Sequence, residues 1–148
     1  MTVSGARTVA VRLVGSMFVC AHSVDDPLDP EWDAALDSFR NVIAIADLRV
    51  LVHTDGGAPN VTQRARLMAA LRGRKVPTAV MTASAVARAA GVAVSWFQPL
   101  LRVFEPSEVD AVFEHLKAEG SERAEALRVL SELRSELVVA RGRRLAEP

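Results

Sequence analysis

Leu48-Arg49-Val50-Leu51-Val52-His53-Thr54-Asp55-Gly56-Gly57-Ala58-Pro59-Asn60-Val61-Thr62-Gln63 is the stretch that decides the fold. Leu48 to Val52 is apolar except for Arg49, the composition of a strand covered on both faces, as in a parallel sheet. From His53 to Pro59 two glycines and a proline force a loop. Asn60 followed by Gln63 matches a capping box, which opens a helix running to about Leu71. Strand, loop and capped helix form the repeating unit of an α/β protein.

The unit recurs downstream. Gly73 to Lys75 turns the chain, and Thr78 to Met81 reads as a strand with Pro77 at its beginning. Ser84 caps a helix that carries Val86, Ala89, Ala90 and Val94 towards Trp96 and Phe97, with Gly91 weakening its middle. Leu100 to Phe104 is a further strand. Pro106-Ser107 then starts a helix with Val109, Val112, Phe113 and Leu116 on its buried stripe, which Gly120 is expected to end.

Upstream, Thr8 to Val14 alternates Val9, Val11 and Leu13 against Ala10 and Arg12, the period of a half-buried strand. Gly15-Ser16 separates it from the apolar run Met17 to Ala21, which is a two-residue hairpin of type II′. Asp29 as cap and Pro30 at the first position open a helix to about Ala46, with Trp32, Leu36, Phe39 and Ile43 at helical spacing. The whole is an α/β chain with a mixed sheet of about five strands, an N-terminal hairpin followed by parallel strands, and helices on the faces. Its order is ββαβαβαβα plus a long C-terminal helix from Ser121 to about Leu145. Residues 1–120 read as the domain and 121–148 as a helical extension.

Composition limits function. The chain has 148 residues, enough for one domain, and its 50% hydrophobic and 24% charged residues suit a packed core. Eighteen basic residues balance eighteen acidic ones, so no global field draws in nucleic acid. Cys20 is the one cysteine, which excludes an internal disulfide and makes the cytoplasm the default location. No apolar run approaches the ~20 residues of a membrane span.

The strand and loop Val50-Leu51-Val52-His53-Thr54-Asp55-Gly56-Gly57-Ala58-Pro59 resembles the STAS/SpoIIAA-like family, and more closely the bacterial proteins described as STAS/SEC14-like. Ala79-Val80-Met81-Thr82-Ala83-Ser84 and the run from Ser95-Trp96-Phe97 to Leu101-Arg102-Val103-Phe104 carry the same resemblance, which covers about Val9 to Leu116. It implies a non-enzymatic regulatory module that presents the 54–60 loop and the following helix to a protein partner. Its SEC14-like side implies a carrier of a small ligand or lipid. Anti-sigma-factor antagonists of the family carry a phosphorylatable residue in an Asp-Ser-Ser-Gly-like motif, where this chain has Thr54-Asp55-Gly56-Gly57.

The residues with candidate roles follow from these placements. Thr54, Asp55, Gly56, Gly57, Asn60, Thr62 and Ser84 lie at the carboxyl ends of parallel strands beside helix N-termini, where a partner or a phosphoryl group is accommodated. Turn and cap chemistry calls for the same residue types. Neither phosphate-binding glycine fingerprint occurs around Gly56-Gly57. Trp96 and Phe97 are either core or an exposed contact surface. His22, His53 and His115 share no ligand spacing, so no metal or cofactor is expected, and no nucleophile and base stand together. Leu127, Leu130, Leu133 and Leu137 form a stripe that needs a cover: the domain itself, the same helix in a homodimer, or another assembly subunit.

Overall fold

The computed structural model describes residues 7–146. Five strands, β1 (Val9–Val14), β2 (Met17–His22), β3 (Arg49–Thr54), β4 (Thr78–Met81) and β5 (Leu101–Phe104), form one sheet in sequence order. β1 and β2 are antiparallel, with Val14 opposite Met17, and the remaining pairs are parallel. At the hairpin Gly15 takes φ 58° while Ser16 does not, as a type II′ turn requires. The mixed α/β architecture expected from the sequence is therefore the one observed.

Three helices, α1 (Asp29–Arg40), α2 (Val61–Leu71) and α3 (Ala85–Ser95), connect β2 through β5. Each crossover steps one strand in the same direction. Because such connections are right-handed, all three helices must lie on one face of the sheet. The opposite face falls to α4 (Val109–Leu116) and α5 (Gly120–Ala146). Strand side chains divide accordingly. Met17, Val19, Ala21, Leu51, Ala79 and Met81 join α4 and α5, while Phe18, Cys20 and Val50 join α1 and α2.

Four local expectations need correction. α1 begins at Asp29 itself, with Leu28 in the cap position and no side-chain cap, and it ends at Arg40 rather than near Ala46. Asn41 and the β-branched Val42, Ile43 and Ile45 are weak helix formers, so the chain leaves the helix in turns. β3 continues through His53 and Thr54, so the loop starts at Asp55. α4 is closed by Lys117 in the left-handed region, with the Ala118 N–H donating to the Phe113 carbonyl at 3.0 Å, and Gly120 opens α5.

α5 does not stand away from the sheet. Ala126, Val129, Leu130, Leu133 and Leu137 are buried in the same cluster as β1 and β2 side chains. Arg49 anchors its start: the guanidinium makes a two-point pair with Glu122 at 2.7 and 2.8 Å and donates to Ser16 Oγ at 2.7 Å. Arg49 also donates to the Leu116 carbonyl at 3.2 Å. Hairpin, central strand and both outer helices thus meet at one side chain.

Candidate functional site

The 55–60 loop is built by internal bonds. Thr54 is buried, and its hydroxyl donates to the Gly57 carbonyl at 2.6 Å while accepting the Gly56 N–H at 3.1 Å. The Gly57 N–H donates to the Ser23 carbonyl at 2.9 Å. A Cβ on Gly57 would lie 2.2 Å from the Asp25 carbonyl oxygen, so only glycine lets the loop sit against the link between β2 and α1. The Ala58 N–H donates to Asp26 Oδ1 at 3.0 Å. Asn60 and Gln63 form the expected capping box, at 2.8 and 3.0 Å, and Ser84 Oγ accepts the Ala87 N–H at 3.2 Å. The Thr82 hydroxyl donates to the Thr54 carbonyl at 3.0 Å and ties the two loops together.

These bonds consume the hydroxyls read as notch or phosphorylation candidates. Thr62 is the exception, exposed at the first turn of α2. The strand order has no reversal, so the sheet has no switch point and no crevice between loops turning opposite ways. Asp55 is half-exposed and pairs with Arg134 of α5 at 3.3 Å. Farther along α5, Arg141 and Arg144 converge on Asp25 and hold its carboxyl below the usual carboxylate range, chiefly through the Arg144 hydrogen bond. The tail arginines therefore face an acid of their own chain.

Leu130, Leu133 and Leu137, expected as an oligomerisation stripe, are covered by the sheet, and Leu127 packs at the margin of the same cluster. Three of the four are thus covered within one chain, and Leu127 is half-buried. Trp96 and Phe97 take the opposite course and are exposed at 77% and 62%. With Val86, Val92 and Leu100 they give α3 an apolar outer side. The surrounding chain is cationic: between Asp55 and Glu105 there is no acidic residue, but there are Arg64, Arg66, Arg72, Arg74, Lys75, Arg88 and Arg102.

An apolar concavity lies elsewhere, apart from a larger polar one beside Arg49, Arg74 and Glu122. Between the sheet and α1, α2 and α3 is an apolar cavity of about 150 Å³. Its floor is Phe18, Cys20, Val50, Val52 and Val80, and its roof includes Trp32, Leu36, Leu67 and Leu71. α3 supplies Ala87, Ala90, Gly91 and Val94. These small side chains leave space that larger ones would fill, and Gly91 permits the close approach: its Cβ would meet Val103 Cγ2 at 2.8 Å. The cavity reaches from Val76 and Gln98 at the amino edge of the strands to His22, Thr54 and Pro59 at the carboxyl edge.

Among the described residues, no charged side chain lines it. Cys20 is held as a neutral thiol, burial pushing it up to about 12, and burial pushes His22 down to about 4, so its imidazole is neutral near pH 7. The three histidines do not converge. His22 faces the cavity side, His53 is buried on the other face beside Asp55, and His115 Nε2 lies 2.8 Å from the Leu100 carbonyl. Among the described residues no group of three His, Cys, Asp or Glu side chains is arranged to hold a metal ion. No described helix is long and apolar enough to cross a membrane.

The cavity was hidden in the sequence because Ala and Gly on an apolar helix also signal close packing. A visible signal was the absence of large side chains on the inner side of α3.

No family model and no curated protein matches this sequence. A solved structure described as an enoyl-CoA hydratase from Mycobacterium avium subsp. paratuberculosis is similar over 100% of this chain and 96% of its own, at 14% identity and a TM-score of 0.47. A likeness of that strength carries no argument about activity.

Proposed function

We propose that the protein binds a small, uncharged, apolar ligand in the cavity under α1, α2 and α3, and that it acts by holding the ligand rather than by transforming it. The observation that carries this reading is the lining. A space of about 150 Å³ walled by aliphatic and aromatic carbon, with no charged side chain, suits a hydrocarbon or a single ring. Engineered protein cavities of about this volume stay dry and take up benzene. A nucleophile and a base do stand together here, against the expectation from sequence, since Cys20 Sγ lies 3.5 Å from His22 Nε2; burial keeps that thiol neutral and the imidazole a weak base, which supports binding over catalysis. The resemblance to SEC14-like carriers implies the same class.

Methyl NMR of the full chain with n-hexane near its aqueous saturation tests the reading. Shifts confined to Val50, Val52, Val80, Leu71 and Val94, abolished when Ala90→Leu fills the space, are expected. Unchanged methyl spectra would overturn it.

A second reading, a regulatory module that docks a protein partner, is supported by the exposure of Trp96 and Phe97 on an otherwise ordered surface. It relocates the expected contact from the 54–60 loop to α3. Trp96→Ser would abolish partner capture in a pull-down without altering the n-hexane shifts.

A further inference from the structure

The polar side chains that line the cavity can be taken one by one. The Trp32 Nε1–H donates to the Gln63 carbonyl at 3.0 Å. The Thr54 hydroxyl donates to the Gly57 carbonyl, and the Thr78 hydroxyl donates to the Val76 carbonyl at 2.9 Å. Gln98 donates to the Arg74 carbonyl at 2.9 Å and accepts the Val76 N–H at 3.3 Å. Cys20 Sγ lies 3.5 Å from His22 Nε2. What remains is His22 Nδ1, a buried ring nitrogen with no hydrogen-bond partner among the described residues, in a side chain only 6% exposed.

We infer that His22 is the hydrogen-bonding anchor of the cavity, so that the ligand class is a neutral apolar molecule carrying one hydroxyl group. This rests on the cavity being a ligand site. A buried nitrogen left unpaired costs stability, and native interiors leave few of them. Nδ1 is closed off in the ligand-free fold, so the His22 ring must shift towards the bound molecule; a ligand oxygen that then meets Nδ1 removes that cost, which no hydrocarbon can do.

The choice of hydroxyl follows from the imidazole. A neutral ring has one N–H and one bare nitrogen. If Cys20 donates its S–H to Nε2, Nδ1 carries the proton and needs an acceptor. If Nε2 donates to sulfur, Nδ1 is bare and needs a donor. A hydroxyl satisfies either tautomer, whereas a carbonyl oxygen satisfies one. Carboxylates and amines are excluded on charge, because the lining holds no counter-ion and a buried unpaired charge is far costlier than an unpaired hydroxyl. Trp32, whose ring centroid is 6.0 Å from that of His22, gives the apolar portion beside the anchor an aromatic wall.

The test compares 1-hexanol, n-hexane and hexanoate on the wild-type chain and on His22→Phe, by calorimetry and methyl NMR at pH 7. The wild type is expected to bind 1-hexanol and n-hexane and to leave hexanoate unbound. His22→Phe should weaken 1-hexanol by about tenfold, the effect of leaving one hydroxyl unpaired, and n-hexane by less than about threefold. Independently of any variant, the His22 ring ¹⁵N resonances should move with 1-hexanol and stay in place with n-hexane. Equal loss for both ligands, tighter binding of hexanoate, or a ring signal indifferent to the hydroxyl would overturn the inference while the cavity reading stands. Failure of both neutral probes to bind the wild type would instead sink the cavity reading.

Discussion

Leu133→Ala separates a helix that belongs to the core from a helix that waits for a partner. Leu133 is 1% exposed and shares a cluster with Val19, Ala21, Val129 and Leu137, between α5 and the β1–β2 side of the sheet. Truncation removes three carbons, about 2.4 kcal/mol of transfer free energy at ~0.8 kcal/mol for each buried methylene. The sheet beneath is built from paired strands and cannot collapse into the gap, so a cavity term brings the cost to roughly 3 to 4 kcal/mol. Against a net stability of about 5 to 15 kcal/mol that loss is large. It corresponds to a fall in melting temperature of about 10 °C for a chain of this size. Val138, on the same helix but 67% exposed, serves as the control, and Val138→Ala should cost less than about 0.5 kcal/mol. Urea and thermal melts at two protein concentrations, with light scattering on the same samples, measure both quantities. A Leu133→Ala protein that melts like the wild type but has half its solution mass would refute the packing argument and restore the leucines to an intermolecular seam.

Two further outcomes follow from named contacts. His22 titrates near 6.5 when unfolded and is pushed down to about 4 by burial in the fold. The unfolded chain therefore takes up the proton first as pH falls, and stability drops between pH 6.5 and 4 by on the order of 3 kcal/mol; His53, also lowered chiefly by burial, adds in the same direction. Urea midpoints at pH 7.5 and 4.5 should therefore differ less in His22→Phe than in the wild type, and equal pH slopes would contradict burial of a neutral ring. Gly57→Ala should destabilise by more than about 2 kcal/mol because its Cβ has no room, while Gly142→Ala, in open space on α5, should be neutral or stabilising by up to ~1 kcal/mol. Chemical denaturation of the two variants side by side checks the contrast.

The features read well from sequence were those with local causes. The capping box at Asn60, the cap at Ser84, the turn at Gly15-Ser16 and the bounds of β4 each depend on residues within a few positions, and each appears where the pattern puts it. Misread features had causes elsewhere in the chain. The end of α1 is a competition between an amphipathic stripe and three β-branched residues, which periodicity does not weigh. Lys117 closes α4 without glycine, because the bonds from Lys117 and Ala118 back to Glu114 and Phe113 hold the left-handed turn. Asp25 reads as a turn acid until Arg141 and Arg144 arrive from more than a hundred residues away. The stripe on α5 was visible as a stripe, but its cover was not, since a leucine face suits a sheet as well as a helix. Of the candidate site, the loop residues were legible as turn and cap chemistry. The cavity was not, because a void is defined by what several distant elements fail to fill.

In the acid-free span between Asp55 and Glu105, Arg66 pairs with Asp33 at 3.1 Å and Arg88 with Glu105 at 2.7 Å, while Arg64, Arg72, Arg74, Lys75 and Arg102 have no carboxylate partner among the described residues. The span contributes seven positive charges to a molecule whose formal net charge is zero, leaving seven negative ones to the remainder. A domain of this length is about 40 Å across, several times the screening length of ~10 Å at 0.1 M salt, so a charged surface nearby senses only the side chains that face it. Near its isoelectric point of about 6.8 the protein should be retained by a cation-exchange resin at low salt.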